Sequence, residues 1–364
     1  MVPEIQKIIT PPDEASLVFL VDDPKNLPGI FFNREEIRFI SLQRKELKKE
    51  LVYLNHMERW VLVHFIKEEK NDSIRLENCR KAGDRSALFL NDQKIEEAVV
   101  YDVNGMKDET LAFAEGMALG SYQFMKYKKD KEKENSLRRI FIYSRVIARP
   151  DIMYLSVIVD AVYHCRTLIN EPYSYLTATV FAREILKMGK ESGLKVEVMN
   201  KKKIEALKMG GILAVNKASD EPPTFTVAEW KPARTVNKKP VVFVGKGIVF
   251  DTGGANLKPG DSMLTMKDDM SGAAAVASTL YAIAKLNLPV HVIGLIPSTD
   301  NKIGPKGILP GDVIRMFNGM TVEVINTDAE GRLILADALS YAAKFDPLLV
   351  VDIATLTGAA SRAV

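Results

Sequence analysis

Three polar residues at every second position are the clearest chemical feature of the sequence. Asp328, Glu330 and Arg332 lie in segment 324–341 (VINTDAEGRLILADALSY), which we predict to run from an apolar strand through an acidic loop into a helix. If the loop is extended, all three side chains point the same way. Two carboxylates and a guanidinium directed at one point favour a binding or catalytic site.

A second polar cluster follows another predicted strand. Lys246, Asp251 and Lys258 lie in the glycine-rich segment GKGIVFDTGGANLK, and Asp268 and Asp269 directly precede an alanine-rich helix. Carboxylates that converge at strand ends repel one another and have raised pKa values unless a cation neutralises them. Several oxygen ligands without Cys or His suit divalent metal ions, so the pattern indicates two metals that share bridging carboxylates.

Each of these signals also has a simpler interpretation. Asp269 and Asp328 precede predicted helices, where carboxylates commonly act as caps. Lys246 is either a solvated lysine or, beside two metals, a neutral amine ligand. A nucleotide site at Gly245-Lys246-Gly247 is disfavoured because the spacing of a phosphate-binding loop is missing. The mixed charges of segment 126–135 favour a solvated loop over a nucleic-acid patch.

Composition indicates an ordinary soluble protein. The 364 residues suggest two domains, and 50 basic against 47 acidic residues give a net charge of +3, which supports neither nucleic acid nor a membrane as a partner. Two cysteines make no disulfide framework, and the four histidines lack metal-ligand spacing. We find no apolar run of about 18 residues and therefore expect a cytoplasmic protein.

The hydrophobic pattern predicts an α/β protein with two α/β domains. Residues 1–150 form an N-terminal α/β domain, 151–170 a linking helix, and 171–364 a C-terminal domain with a mostly parallel sheet and helices on both faces. Predicted strands include 16–21, 37–41, 60–66, 99–103, 138–143, 195–199, 240–245, 290–296 and 348–353. Predicted helices include 109–124, 178–192, 201–208 (stopped by Gly210-Gly211), 271–286 and 332–344. Asn318-Gly319 predicts a type I′ hairpin between 313–317 and 321–325.

The polar segments together resemble a known family. NTDAEGRL at 326–333 is similar to the signature of the leucyl aminopeptidases (the M17 cytosol aminopeptidase family). VGKGIVFDTGG at 244–254, MKDDM at 266–270 and DIATLTGA at 352–359 resemble its other blocks in order and spacing. Asn170-Glu-Pro172 matches the motif that opens its catalytic domain. The resemblance extends from about residue 160 to the end and is weak before it.

The resemblance implies an enzyme with two divalent metal ions, Zn²⁺ or Mn²⁺. The implied metal ligands are Lys246, Asp251, Asp269, Asp328 and Glu330. Lys246 and Asp269 would serve the looser site, Asp328 would touch both sites, and Glu330 would bridge them. Asp268 would be a neighbour rather than a ligand.

The same resemblance implies catalytic and substrate-binding residues. Lys258 would be the electrophile that stabilises the oxyanion, and Arg332 would hold a bicarbonate that acts as general base. Met266 would line the pocket for the first side chain, and Thr357 and Gly358 would contact the substrate backbone. The reaction would be release of N-terminal amino acids, leucine and other apolar residues, by a hydroxide that bridges the metals.

The resemblance also implies a cytoplasmic homohexamer whose N-terminal domain has an assembly or regulatory role. Members of the family continue beyond the position of residue 364, so we expect this C-terminal domain to be truncated and the chain weakly active or inactive. A catalytically weak peptidase-fold scaffold or binding protein is therefore the alternative. A metal-dependent phosphohydrolase would share the carboxylates, but it would not explain Lys246.

Overall fold

The chain folds into two compact units. A computed structural model describes residues 2–363, which divide between Met1–Tyr163 and His164–Val364. Each unit contains its own sheet and its own apolar core. The two units are therefore described separately.

The first unit is built on a six-stranded sheet. Its strands are β1 (Glu4–Ile8), β2 (Ser16–Val21), β3 (Leu51–Asn55), β4 (Trp60–Phe65), β5 (Glu97–Asp102) and β6 (Arg139–Tyr143). They lie in the order β1-β6-β5-β2-β4-β3, and only β3 runs antiparallel to its neighbour. Successive residues of β2 enter two different apolar clusters, Leu17 and Phe19 in one and Val18 and Leu20 in the other. Both faces of this sheet are therefore covered.

The helices of the first unit correct one sequence prediction. They are α1 (Arg34–Lys45), α2 (Asp72–Asp92), α3 (Lys107–Gly120) and the start of α4 (Arg149–Asn170). Residues 37–41, predicted as a strand, lie inside α1. Asn33 and Glu36 form a capping box at its N-terminus, with each side chain accepting a hydrogen bond from the other residue's backbone N–H. This local helix start outweighs the β-branched and aromatic residues that suggested a strand.

Helix α4 has the length and mean hydropathy of a membrane span, which the sequence analysis did not anticipate. It is the one helix in the described residues that passes this test, and the core helix of a soluble protein passes it too. Ile152, Leu155 and Val159 of α4 are buried in an apolar cluster of the first unit. The apolar length of α4 therefore serves packing at these positions.

The second unit contains a largely parallel sheet, as predicted. Its strands are β7 (Lys195–Met199), β8 (Thr224–Trp230), β9 (Val241–Gly245), β10 (Gly247–Asp251), β11 (Val292–Asn301) and β14 (Leu349–Ile353). The order is β14-β9-β11-β8-β7, and β10 also pairs with β11. Strands β14, β9, β11 and β10 are parallel, whereas β8 is antiparallel to both of its neighbours. The carboxyl ends of the four parallel strands therefore share one edge of the sheet.

Helices cover both faces of this sheet. They are α5 (Ala178–Ser192), α6 (Lys201–Ala206), α7 (Gly210–Asn216), α8 (Ser271–Lys285), α9 (Glu330–Ala342) and α10 (Ala360–Ala363). Ile293 and Leu295 of β11 pack in one cluster with side chains of α7 and α9. Gly294, between them, faces Leu280 of α8 on the opposite side. This burial on both sides explains why the first half of β11, from Val292 to Pro297, is continuously apolar.

Gly210-Gly211 starts a helix rather than ending one. The sequence analysis predicted a stop here, but α7 begins at Gly210. A side chain at this glycine would have its Cβ 1.8 Å from the carbonyl oxygen of Arg315. The glycine is therefore required by the close approach of the neighbouring hairpin.

That hairpin joins β12 (Val313–Arg315) to β13 (Thr321–Glu323). Its turn was predicted as type I′, which needs positive φ at both central residues. In residues 316–320 only Gly319 has positive φ, at 87°. Since Gly319 N–H donates to the Met316 carbonyl, the turn is instead an ordinary turn followed by a left-handed glycine. The position of the hairpin was right, but its turn type was wrong.

Asp337 of α9 connects this hairpin to α7. Its side chain is fully buried, and its two oxygens accept hydrogen bonds from the backbone N–H of Ile212 (3.0 Å) and of Phe317 (2.9 Å). Burial raises the pKa of this carboxyl. The helix that begins with Glu330 is thus fixed to two other elements.

Candidate metal centre

Polar residues follow the carboxyl ends of all four parallel strands of the second unit. Lys246 follows β9, Asp251 ends β10, Asn301 ends β11, and Thr355 lies two residues beyond β14. Lys246 and Asp251 are each 2% exposed and Asn301 is 3% exposed. Buried polar side chains need partners, so their hydrogen bonds define the site.

Two helix starts bring the remaining carboxylates to this edge. Asp269 directly precedes Met270 and α8, and Glu330 is the first residue of α9. Neither helix has a side-chain cap at its N-cap residue, so Asp269 and Asp328 are not the caps that the simpler interpretation predicted. Asn326 accepts the backbone N–H of Asp328 instead.

The premise that segment 328–332 is extended is wrong. Thr327–Ala329 forms a short 3-10 helix, and Glu330 already belongs to α9. Asp328 and Glu330 nevertheless converge with Asp251, since one oxygen of each lies within 4.8 Å of the others. The convergence comes from the turn into α9 and not from alternation along a strand.

Lys246 is the buried counter-ion of two carboxylates. Its Nζ lies 2.8 Å from both oxygens of Asp269 and 2.9 Å from Glu330 Oε1. Nζ also donates to the Thr355 carbonyl at 3.0 Å. Burial acts to lower the pKa of Lys246, but the charges of Glu330 and Asp269 outweigh it and raise the pKa. The two neighbouring carboxylates therefore favour the protonated form of Lys246.

Lys258 neutralises the other two carboxylates. Its Nζ lies 2.8 Å from Asp251 Oδ2 and 2.6 Å from Asp328 Oδ1. Burial lowers its pKa, yet the hydrogen bonds to Asp251 and Asp328 prevail and raise it. Gly253 and Gly254, both with positive φ (85° and 65°), turn the chain back from Asp251 towards Lys258.

The centre remains negatively charged despite its two lysines. Four carboxylates face two ammonium groups, so two negative charges are left over in a largely buried space. Burial raises the pKa of Asp269 and of Glu330. Glu330 Oε2 is buried and has no hydrogen-bond partner within residues 2–363. Unpartnered carboxylate oxygen beside excess negative charge fits a site for divalent cations.

Among the residues that the structure describes, Arg332, Met266, Thr357 and Asp268 form no ion pair or side-chain hydrogen bond with this network. Arg332 is exposed and forms no ion pair with the carboxylates in the described part of the chain. Met266, half-buried, begins a short 3-10 helix before Asp269. Thr357 and Gly358 are exposed, and the Thr357 hydroxyl accepts the backbone N–H of Ala359 at 3.3 Å. Asp268 forms no ion pair among the residues described, and partial burial raises the pKa of its carboxyl.

Sequence reasoning missed several residues that organise the centre. The Thr355 hydroxyl donates to Asp269 Oδ1 at 2.7 Å, and Asn301 Nδ2 donates to Asp251 Oδ1 at 2.8 Å. Thr327 and Asn256 hold each other, because the backbone N–H of each donates to the other's side-chain oxygen at 2.8 Å. Position at a parallel strand end was the available signal for Thr355 and Asn301.

Comparison with known proteins identifies the family of this fold. The sequence model of the cytosol aminopeptidase family, catalytic domain, matches residues 163–364, more than half of the chain. The chain belongs to the cytosol aminopeptidase family. The match begins where the second unit begins, so the family's catalytic domain corresponds to the unit that contains the carboxylate centre.

Curated cytosol aminopeptidase relatives extend the match. A probable cytosol aminopeptidase of Chlorobium limicola is 44% identical over an alignment of 309 residues, which covers 78% of this chain and 61% of that protein. One of Chloroherpeton thalassium is 51% identical over 195 residues, 53% of this chain and 38% of that protein. The chain spans at most about three fifths of the length of these relatives.

Solved structures of other proteins show the same fold. A mutant of tomato leucine aminopeptidase has a TM-score of 0.83 at 26% identity and covers 100% of this chain and 75% of its own. The bottromycin maturation enzyme BotP in complex with Mn has a TM-score of 0.81 at 29% identity, covering 96% and 74%. The α/β architecture of both units is thereby confirmed.

Proposed function

We propose that the protein is an aminopeptidase that uses two divalent metal ions to release N-terminal amino acids from peptides. The excess negative charge at the centre and the unpartnered Glu330 Oε2 carry this proposal. Family membership supports it, because the relatives are named cytosol aminopeptidases. The complex of BotP with Mn supports a divalent metal of the manganese or zinc class.

The metals would be held by the buried carboxylates and by Lys246. Asp251, Asp328 and Glu330 offer oxygens within 4.8 Å of one another, which suits an ion shared between them. Asp269 would supply ligands for the second ion, and Lys246 would join it as a neutral amine once the bound ions have displaced its proton. When bound, such ions polarise a peptide carbonyl and lower the pKa of water towards neutrality.

Lys258 and Arg332 would act on the substrate directly. Lys258 is 14% exposed at its side chain, so its ammonium can reach a carbonyl oxygen and stabilise negative charge there. Arg332 is exposed and has no carboxylate partner in the described residues, so its planar fork is free to hold a bicarbonate. That bicarbonate would accept a proton from the attacking water and pass it to the leaving amine.

Substrate selection would depend on the metal ions and on an apolar pocket. The free α-amine of an N-terminus would bind to one of the ions, which would restrict cleavage to the first residue. Met266 would line the pocket for the first side chain, favouring leucine and other apolar residues. Thr357 and Gly358 would bind the peptide backbone from the segment that follows β14.

The wider context follows the family resemblance. We propose a cytoplasmic homohexamer in which the N-terminal α/β domain (1–150) has an assembly or regulatory role, the linking helix covers 151–170, and 171–364 is the catalytic domain. The cytosol aminopeptidase names of the relatives support this location.

Hydrolysis of a leucyl chromogenic amide by the 364-residue chain tests the activity. We expect weak, Mn²⁺-dependent release of the chromophore, abolished when the leucine amine is acetylated. Glu330→Gln should remove the activity, whereas Glu205→Gln, an exposed carboxylate outside the centre, should leave it unchanged.

The contrary results separate the alternatives. Binding of about two Mn²⁺ ions without hydrolysis of either amide would favour a peptidase-fold scaffold. Equal cleavage of the acetylated substrate would contradict the exopeptidase assignment. Preferential hydrolysis of a phosphate monoester would favour a phosphohydrolase.

A further inference from the structure

Asn301 contacts two separate parts of the carboxylate centre. Its Nδ2 donates to Asp251 Oδ1 at 2.8 Å and to the main-chain carbonyl of Thr327 at 3.1 Å. Asp251 ends β10, and Thr327 directly precedes Asp328 and α9. A single amide group therefore joins the strand end and the turn from which three carboxylates project.

The backbone of Asn301 is fixed, so its amide has little freedom to move. Asn301 lies opposite Asp251 in the parallel pairing of β10 with β11. Its carbonyl accepts hydrogen bonds from the backbone N–H of Thr252 (2.9 Å) and from the Thr252 hydroxyl (2.8 Å). The side chain is also almost fully buried. These restraints leave the amide pointing into the centre.

Thr327, the second contact of this amide, is equally restrained. Its hydroxyl donates to the Gly253 carbonyl at 2.6 Å, and its backbone N–H donates to Asn256 Oδ1 at 2.8 Å. Hydrogen bonds therefore join the loop after β10 to the turn before α9. On the side of the Asp251 carboxylate, the Asn301 amide adds a further link, since it bonds both to Asp251 and to Thr327.

Asp251 would lose its lateral support without this amide. Its Oδ2 is paired with Lys258, while its Oδ1 accepts hydrogen bonds only from the adjacent Gly253 N–H and from Asn301 among the described residues. The hydrogen bond from Gly253 comes from a residue only two positions away, so it would move together with Asp251 and would not fix its orientation. Beside the ion pair with Lys258, Asn301 is thus the uncharged contact that relates Asp251 to a different element.

We propose that Asn301 is a positioning residue that sets the orientation of Asp251 relative to Asp328 and Glu330, and through it the affinity of the centre for divalent metal. This inference rests on the proposed function, since it assigns a role within the same site. Residues that orient metal ligands commonly account for 10- to 100-fold in metal affinity.

Calorimetric titration of the metal-free 364-residue chain with Mn²⁺ tests this role. We expect Asn301→Ala to raise the Kd for Mn²⁺ by roughly 10- to 100-fold. Asn301→Leu, which keeps the volume but removes both hydrogen bonds, should have the same effect and provides a second variant if the alanine variant does not fold.

The matched control is Asn216→Ala. Asn216 is a buried asparagine of the same unit whose Nδ2 donates to the Glu221 carbonyl (2.7 Å) and to Thr299 Oγ1 (3.1 Å), away from the carboxylates. It should lower the Tm of the metal-free protein, while the Kd for Mn²⁺ stays within about threefold.

Three results would overturn the inference. Folded Asn301 variants that bind Mn²⁺ like the wild type would refute the positioning role and leave the proposed function intact. An equal loss of affinity in Asn216→Ala would show a general effect of stability. A wild-type chain that binds no Mn²⁺ would instead refute the proposed function, and the positioning role with it.

Discussion

Asp102 and Asp251 are the last residues of parallel strands in the two units, and both are buried, but their surroundings differ. In the first unit the Asp102 oxygens accept hydrogen bonds from the backbone N–H of Met106 and from the Ser144 hydroxyl, both at 2.7 Å. In the second unit Asp251 is paired with a lysine and faces two further carboxylates. Asp102 and Asp251 thus occupy the same kind of position in their sheets, and only the groups around each carboxylate differ.

The difference shows when a strand-end carboxylate indicates a site. Neutral donors from nearby backbone and hydroxyl groups satisfy Asp102, so its role is structural. At the second sheet edge four carboxylates compete for two lysines, and Glu330 Oε2 keeps no partner within residues 2–363. Negative charge that the chain's own lysines do not neutralise indicates a binding site for a cation.

Removing carboxylates tests this contrast most severely. The double variant Asp269→Asn with Glu330→Gln should raise the Kd for Mn²⁺ by more than about 100-fold, since residues outside the ligand shell alone account for 10- to 100-fold. Asp102→Asn should leave the Kd unchanged and lower the free energy of unfolding by about 1–2 kcal/mol. Calorimetry measures the Kd for Mn²⁺, and denaturant titration measures the free energy of unfolding. If the wild type, the double variant and Asp102→Asn bound Mn²⁺ equally well, the contrast between the two sheet edges would be wrong.

The first unit has a buried titratable group of its own, His64 in β4. Burial lowers its pKa to about 4 from 6.5, so the unfolded chain binds more protons between these pH values. Stability should be complete above pH 6.5 and fall with pH, by about 3 kcal/mol once the pH is below 4. The expected readout is denaturant unfolding followed by Trp60 fluorescence in a Trp230→Phe background, which confines the signal to the first unit.

His64→Asn provides the control for this pH dependence. It keeps a donor near the Glu50 carbonyl, which lies 3.2 Å from His64 Nδ1, but removes the titrating ring. The variant should lose most of the slope between pH 6.5 and 4. An unchanged slope would assign the pH dependence to other groups.

Two glycines sharpen the contrast between packing and chemistry. At Gly116 of α3 an added Cβ would lie 2.0 Å from the Arg80 carbonyl of α2, whereas at Gly331 of α9 it would lie 2.5 Å from Lys246 Cε. Gly116→Ala should cost roughly 1–3 kcal/mol of stability, because helix backbones must separate. Gly331→Ala should displace the lysine instead and weaken Mn²⁺ binding by about 10-fold.

Unfolding and Mn²⁺ titration of both glycine variants measure these effects. Gly29→Ala is the control, since an added Cβ there meets nothing within 4 Å. If Gly116→Ala weakened Mn²⁺ binding as much as Gly331→Ala, the division of roles between the units would fail.

The smallest expected effect concerns the helix that the sequence pattern misassigned. Asn33→Ala removes the side-chain cap of α1 and should lower the free energy of unfolding by about 1 kcal/mol, with no change in Mn²⁺ affinity. Denaturant unfolding of the first unit checks this value. Glu35→Gln, next to the capping box but outside it, should change stability by less, and a larger loss in that variant would argue against the cap.

Local sequence predicted the parts of the centre that lie next to clear strand ends. Lys246 and Asp251 follow a strand-like run with glycines on either side, and Asp269 precedes an evident helix. The role of Asn301 was missed, because the predicted strand ended at Ile296, just before Pro297, so that Asn301 did not stand at a strand end. In the structure β11 continues to Asn301, supported by pairing with β8 and β10.

Tertiary contacts account for the other differences. From the sequence alone, Gly210 suggests the end of a helix. The structure shows that glycine is required there because a Cβ would collide with the Arg315 carbonyl oxygen. The convergence of Asp328 with Asp251 depends on hydrogen bonds of Thr327 with Asn256 and Asn301, which lie 71 and 26 residues away from it in sequence. A pattern of residue types predicts which elements form, whereas the partners that bring side chains together are properties of the assembled sheet.

The bonds accepted by Asp337 have a consequence for the order of folding. The loop that joins it to Phe317 spans 20 residues, and the one that joins it to Ile212 spans 125. Closing the longer loop costs about 1.6 kcal/mol more chain entropy. We therefore expect the hairpin to dock on α9 before α7 does. Glu330 and Asp328 lie at the start of α9. During folding, the acidic turn would therefore be packed against the hairpin early, and its contacts through α7 would form late.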